Sequence, residues 1–228
     1  MLNRKTAIMI AITIATVVIG VSVTVAHLDY GGQQTSSNNN DEFASNLAIP
    51  PIPLLSEYDK PVNGVDEAST IVGYDVPYPT YLPEGYKIQG MYAYDDSVKM
   101  YAWDRMIDGK TRYKDFYYTG KGMIIYIYDI SKRYSTAVDE EEAKATGGPI
   151  SIEEQMEEWV KEFEKYKAHK LTIDGYQCVA YDSQIVEDAI GRKVPLLAEL
   201  NCLKDKLLIQ IRAYLPESEL IKVAESML

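Results

Sequence analysis

Few side chains in this sequence could do chemistry, and their spacing does not favour cooperation. His27 and His169 are the two histidines, too few and too far apart for a Ser-His-Asp triad or a histidine-based metal site. The two cysteines, Cys178 and Cys202, are too widely separated for a CxxC redox or zinc signature, whereas an oxidising compartment would suit a disulfide between them. Asp139-Glu140-Glu141-Glu142 could attract Ca²⁺ but lacks the alternating ligands of a calcium loop and reads as a solvated acidic loop. Asp95 or Asp104 paired with Glu199 could serve acid–base hydrolysis, but such pairs can be drawn in any acidic protein. No phosphate loop is present. The expectation is therefore a non-enzymatic chain with no catalytic residue, no metal and no cofactor.

Tyrosine is the remaining chemical signal, with 19 Tyr against 3 Phe and 2 Trp. Its apolar ring and polar tip suit half-wet sheet faces and contact patches. Tyr113, Phe116, Tyr118, Tyr126 and Tyr128 form a candidate contact surface that could line a groove. The plainer reading is that half of them simply cover a sheet. A net charge of −11 and a pI near 4.7 argue against nucleic acid and anionic lipid heads as partners.

The elements that must carry these residues begin with a membrane segment. Residues 7–26 are apolar and uncharged, and as a helix they span ~30 Å, the thickness of a bilayer core. Arg4 and Lys5 precede the run, while Asp29, Asp41 and Glu42 follow it, which places the N-terminus in the cytoplasm and the bulk of the chain outside. The expected order is a cytoplasmic tail over 1–6, a transmembrane signal-anchor over 7–28, a linker over 29–65 and an extracytoplasmic α+β domain over 66–228. The run is longer than the apolar region of a cleaved signal peptide, for which Thr24-Val25-Ala26 would be a fair cleavage site. A pilin-type leader cleaved near Thr6-Ala7 lacks the preceding Gly. All three readings export the C-terminal part.

The linker opens with the polar, low-complexity stretch Gly31-Gly32-Gln33-Gln34-Thr35-Ser36-Ser37-Asn38-Asn39-Asn40 and stiffens at Pro50-Pro51-Ile52-Pro53-Leu54-Leu55. It is read as a spacer, although its apolar residues could dock on the domain or on a partner. Within the domain, 66–73 predicts a short helix with an acidic first turn and a Gly stop. Residues 86–94, 98–106, 112–118, 123–130, 171–181, 195–203 and 206–214 predict about seven strands. Their close spacing requires antiparallel pairing, and the sheet is expected to be curved and packed with two or three helices. A helix from Ser151, capped with Glu154, carries the stripe Ile152, Met156, Trp159, Val160 and Phe163. A last helix after Pro216 carries Leu220, Val223, Ala224 and Met227.

Alternation puts Tyr176, Cys178 and Ala180 on one row and Leu196, Ala198, Leu200 and Cys202 on another, with Glu199 and Asn201 on the opposite side. A hairpin centred near Ile190 sets Cys178 opposite Cys202, so alternation and loop symmetry give the same register. A bond there would close a loop of about 25 residues and stabilise by ~3 kcal/mol in the chain-entropy model; two buried thiols are the alternative.

Two stretches resemble a known family. Asp66-Glu67-Ala68…Val72-Gly73-Tyr74-Asp75-Val76-Pro77…Pro79-Thr80-Tyr81-Leu82-Pro83-Glu84-Gly85-Tyr86 is similar to an opening pattern of acidic helix, VGF-x-V and P-x-Y-L-P-E-G-Y. Residues 217–227 resemble a closing EEL-x-KIAES helix. Both occur in an uncharacterised family of exported domains, distantly similar to lipoprotein-carrier and sigma-regulator sensor folds. The resemblance implies a curved antiparallel sheet whose concavity holds helices and can bind an acyl chain or a partner segment. It carries over no catalytic residues and gives Leu82 and Tyr86 a structural, anchoring role.

Together these readings give a membrane-anchored extracytoplasmic binding or sensor domain. Its partners are the membrane, through the N-terminal helix, and an envelope protein or apolar ligand. The alternative is an accessory or structural subunit of a cell-envelope complex or filament, with Ala7, Ala11 and Ala15 allowing close helix contact.

Overall fold

A computed structural model of the chain describes residues 54–55, 60–130, 152–189 and 191–228, all within one compact unit, Asn38–Leu228. The expected tail over 1–6, the transmembrane helix over 7–28, most of the linker, and the acidic loop with Asp139–Glu142 lie outside the described residues. Among the described residues no helix is long and apolar enough to cross a membrane.

The described part has an α+β architecture built on a seven-stranded antiparallel sheet. Its strands are β1 (Lys87–Tyr94), β2 (Ser97–Trp103), β3 (Met123–Asp129), β4 (His169–Ile173), β5 (Tyr176–Tyr181), β8 (Ala198–Lys204) and β9 (Leu207–Ala213). A separate hairpin pairs β6 (Gln184–Glu187) with β7 (Lys193–Leu196). The order β1-β2-β3-β9-β8-β5-β4 zips two meanders together at the β3–β9 seam. The β1–β2, β4–β5 and β8–β9 turns are short, so there local hydrophobic patterning suffices to select antiparallel neighbours. The central strands are apolar on both faces: Ile124, Ile125 and Ile127 of β3 and Leu208, Ile209 and Ile211 of β9 are all buried. Such two-sided runs belong to a sheet covered on both sides.

On the first face, Met100, Ile125, Ile127, Leu200, Ile209 and Ile211 form the main core with two helices. Helix α1 (Val65–Val72) contributes Ala68 and Val72, and it ends at Gly73, whose left-handed φ of 75° a side chain would resist. At its other end Glu67 Oε2 accepts from both Asn63 N and Asn63 Nδ2, at 2.8 and 2.9 Å. The C-terminal helix, called α3 below (Glu217–Glu225), buries Leu220, Val223 and Ala224 as its stripe requires, with Met227 just beyond. Helix α2 (Ile152–Glu162) lies against β4 and β5; Met156 is buried and Glu157 and Lys161 are exposed.

Cys178 and Cys202 are joined by a disulfide. They face each other in the β5–β8 ladder, in the register that alternation and loop symmetry gave. The main sheet has the expected seven strands through two compensating differences, while the hairpin adds two more, β6 and a β7 that takes the start of the strand expected over 195–203. The segment expected as one strand over 171–181 turns at Asp174-Gly175 into β4 and β5, with positive φ at both residues. The strand expected over 112–118 does not form. β2 pairs directly with β3, from Ser97↔Tyr128 to Ala102↔Met123, so residues 104–122 are an excursion, and Asp115–Thr119 forms a single π-helical turn. Tyr113, Phe116 and Tyr117 fall at i, i+3 and i+4, a helical spacing that outweighs the tyrosine-rich, strand-like composition.

Part of the segment read as a spacer also belongs to the fold. Pro61 bridges Tyr92 on the outer edge of β1, with Val62 N donating to Met91 O at 2.9 Å, which covers an otherwise open sheet edge. Leu54 is buried.

Candidate functional site

The second face of the sheet carries the unusual chemistry. Across β2, β3, β9, β8 and β5 the register aligns Tyr101, Ile124, Arg212, Glu199 and Tyr181 in one row. The neighbouring row runs Lys99, Tyr126, Gln210, Asn201 and Val179. Glu199, Asn201 and Gln210 are buried, at 2%, 4% and 6% exposure. The side opposite the cysteines, which alternation alone would leave as a polar outer surface, is therefore covered.

Glu199 is the hub of this face. Its Oε1 accepts from Asn201 Nδ2 and Gln210 Nε2, both at 2.9 Å. Its Oε2 accepts from the Tyr181 hydroxyl at 2.9 Å and from Arg212 Nε at 2.6 Å. Gln210 Nε2 also donates to Asn201 Oδ1 at 2.9 Å. Burial alone would raise the Glu199 pKa, but the Arg212 charge and the donated hydrogen bonds outweigh it and hold the carboxyl below its usual range. A carboxylate offers about four lone-pair sites, and here four donors fill them. Glu199 is thus a saturated acceptor whose hydrogen-bonded charged partner is the cation Arg212, while burial and then the Glu199 charge raise the pKa of the nearby Glu162 carboxyl. Asp95 and Asp104 lie beyond opposite ends of β2, three strands across the sheet from Glu199, about 14 Å sideways, with a further displacement along the strand. Asp104 is instead beside Arg105, at 3.2 Å. The structure does not bring either carboxylate pair together.

An aromatic cluster borders the polar rows. Tyr101, Trp103, Phe116, Tyr117, Ile124, Leu197 and Leu54 pack into one buried group, with Tyr113, Tyr118, Tyr126 and Tyr214 partly buried around it. Its rings meet edge to face: Trp103 and Phe116 at 5.3 Å, Tyr101 and Phe116 at 5.8 Å, Tyr118 and Tyr214 at 5.4 Å between centroids. The π-helical turn holds Phe116 and Tyr117 over the sheet. Backbone glycines make this approach feasible, because a Cβ on Gly120 would run into the Trp103 ring and one on Gly122 into Phe116. Trp103 Nε1 donates to Gly120 O at 2.9 Å. Burial pushes Tyr113 up to about 12 and raises Tyr117, Tyr118 and Tyr181 further, so all four hydroxyls stay protonated across the physiological range. On the far side of Tyr181, Phe163 and Tyr166 stack at the end of α2, with Phe163 5.3 Å from the Tyr181 ring.

Four of the five candidate contact residues thus meet in one cluster, and Tyr128 lies on the same face of β3. Phe116 and Tyr128 are buried, at 0% and 7% exposure, which leaves Tyr113, Tyr118 and Tyr126 partly accessible. His169 stands 3.2 Å from Glu217 at the end of α3, half exposed. His27 and Asp139–Glu142 fall outside the described residues. Among the described residues no group of three or more His, Cys, Asp or Glu could hold a metal ion.

The opening and closing motifs meet in space. Tyr81 donates to Glu219 Oε2 at 2.9 Å and Thr80 Oγ1 to Ser226 O at 3.3 Å. Leu82 and Tyr86 pack on the main core, and the Tyr86 hydroxyl donates to Lys121 O at 2.6 Å. These motif residues fasten the first segment of the domain to its last helix.

Sequence reasoning did not single out Arg212, Gln210 and Tyr181, and it placed Asn201 only on the same face as Glu199. The legible signal was a polar pair at alternate positions on each of two adjacent, otherwise apolar strands, Glu199/Asn201 and Gln210/Arg212. Set against family models, curated proteins and solved structures, the chain has no match in any of the three.

Proposed function

We propose that this chain is a membrane-anchored, extracytoplasmic binding domain that contacts another protein of the cell envelope and performs no chemistry of its own. One observation carries the choice of a protein over an apolar small molecule. The space between the sheet and its helices is filled by the main core, while half-buried tyrosines, Tyr113, Tyr118, Tyr126 and Tyr214, remain at the border of the second face. Tyrosine-rich borders of this kind are enriched at protein contacts, where a rigid ring supplies area at little entropic cost. Surface hollows are lined by Tyr74–Pro77 with Lys204–Leu207 and by Asn63–Glu67, and neither touches the aromatic cluster. The Cys178–Cys202 bond supports export, because structural disulfides persist in oxidising compartments. The anchor, its orientation and the resemblance to exported, membrane-tethered domains support the same reading from the sequence.

The test is site-specific photo-crosslinking in intact cells, with the reactive residue at Tyr118 or Tyr214 and, as a control, at Tyr78 on the opposite motif segment. The proposal expects one stoichiometric protein adduct from the first two positions and none from the control. Equal adducts from all three positions, or none from any, would reject it.

A further inference from the structure

The tether leaves a mark on the aromatic cluster that goes further than a spacer requires. Leu54 is inserted at 7% exposure among Tyr101, Trp103 and Phe116. Its N–H donates to Thr111 O at 3.1 Å and its carbonyl accepts from the Tyr101 hydroxyl at 3.4 Å. Leu54 sits in a bend of the backbone and is held by one side-chain socket and by both of its main-chain groups, a mode by which short linear segments are recognised.

The socket is built without help from Leu54. Asp108 Oδ1 accepts from Lys110 N at 2.9 Å and from Thr111 Oγ1 at 3.0 Å, and Asp108 N is bound by Thr111 Oγ1 at 3.0 Å. This closed turn fixes the Thr111 carbonyl. Trp103 is pinned at both ends, through Nε1 to Gly120 O and through its own carbonyl, which accepts from Gln89 Nε2 at 3.0 Å. The walls are therefore held by contacts of their own, and the occupant comes from a segment remote from them in sequence. In sequence that occupant is a leucine pair preceded by Pro50, Pro51 and Pro53, residues that keep a segment extended at low entropic cost.

Building on the protein-binding reading above, we propose that this socket recognises a proline-flanked leucine segment of the partner protein and that Leu54 occupies it in cis until the partner displaces it. The short connection to the Pro61 bridge gives the cis segment an effective concentration in the ~mM range. Free segments of the same chemistry consequently bind only when Leu54 is removed or outcompeted by better contacts.

The experiment uses the full chain in lipid nanodiscs with Trp159→Phe, so that Trp103 is the sole reporter, and a synthetic copy of residues 48–57 as probe. Leu54→Asp should shift Trp103 emission to the red, and the peptide should reverse the shift saturably. The parent chain should bind the peptide at least ~10-fold more weakly, and a peptide carrying Asp at both leucine positions should do nothing. A folded Leu54→Asp chain that ignores the peptide, or that answers the Asp-bearing control equally, overturns the proposal. A mixed dimer of Leu54→Asp with the parent chain would assign the socket to a second copy and also overturn it. Should Leu54→Asp unfold, Leu54 belongs to the core and the proposal fails. Hydrogen exchange on the unaltered chain gives an independent reading: the Leu54 amide should exchange ~100-fold faster than that of Ile125, and equal rates would refute a separable occupant. Peptide binding is read in vitro, so its failure is distinct from failure of the cellular crosslinking.

Discussion

Replacing Arg212 by methionine isolates the electrostatics of the second face. The substitution keeps an unbranched apolar stem as far as the Nε position but withdraws the cation that sits 2.6 Å from Glu199 Oε2. Removing one partner of a buried ion pair costs about 3–5 kcal/mol because the other charge is left uncompensated. Arg212 is 25% exposed while Glu199 is 3% exposed, so water relieves part of the penalty and the low end, about 3 kcal/mol, is expected. For a domain of this size each kcal/mol moves the midpoint by about 2–4 °C, giving a loss of about 6–12 °C at neutral pH.

The acid dependence is more diagnostic than the size. In the parent chain the Glu199 pKa is lowered on folding, so its stabilisation is present above the unfolded value of about 4.3 and is lost as pH falls through the folded one. In Arg212→Met, burial dominates and the folded pKa rises above the unfolded value. The penalty then grows as pH rises from the unfolded pKa toward the folded one. Thermal melts from pH 3 to pH 7 should show the gap between parent and variant opening as pH rises. Glu199→Leu combined with Arg212→Met should recover part of the loss, since no lone charge is left buried. A gap of the same size at both ends of the range, or a midpoint within ~2 °C of the parent at pH 7, would refute the assignment of Glu199 and Arg212 as a coupled pair.

Reduction of Cys178–Cys202 reopens a loop of about 25 residues and should cost ~3 kcal/mol, seen as a lower midpoint in denaturant titrations run with and without reductant. Tyr113, with its pKa raised to about 12, and the still higher Tyr117, Tyr118 and Tyr181, leave stability flat with respect to these groups up to about pH 10. Above it each removes about 1.4 kcal/mol per pH unit until its folded pKa is reached. Tyrosinate absorbance should therefore develop together with unfolding, and early titration of these groups in a folded chain would contradict their burial. Gly120→Ala places a methyl group against the Trp103 ring and should destabilise by about 1–3 kcal/mol through overpacking, with a change in Trp103 fluorescence; a neutral outcome would mean that the π-helical turn is not packed as described.

Much of the architecture was legible in local pattern. The stripe Leu220, Val223, Ala224, Met227, the Gly73 stop and the facing cysteines follow from period and turn chemistry, which act within a few residues. The 112–118 segment was not, because a short tyrosine-rich stretch satisfies a strand's composition and a helical turn's spacing at once, and the direct β2–β3 pairing decided between them. The polar rows illustrate a second limit. Alternation assigned Glu199 and Asn201 to their face, but whether a face is wet or covered depends on what packs over it, and Phe116, Tyr117 and Leu54 come from segments remote in sequence. The docking of Leu54 was undecidable for the same reason, since a proline-rich segment is extended whether or not it has a socket.

Addition of protease to sealed cells carrying the full chain tests the central claim most directly. A membrane-anchored, exported binding domain should be cut in the expected 29–65 linker, ahead of Leu54, and released into the medium as a disulfide-bonded body. A chain that stays whole in sealed cells and is cleaved only after lysis would contradict the account.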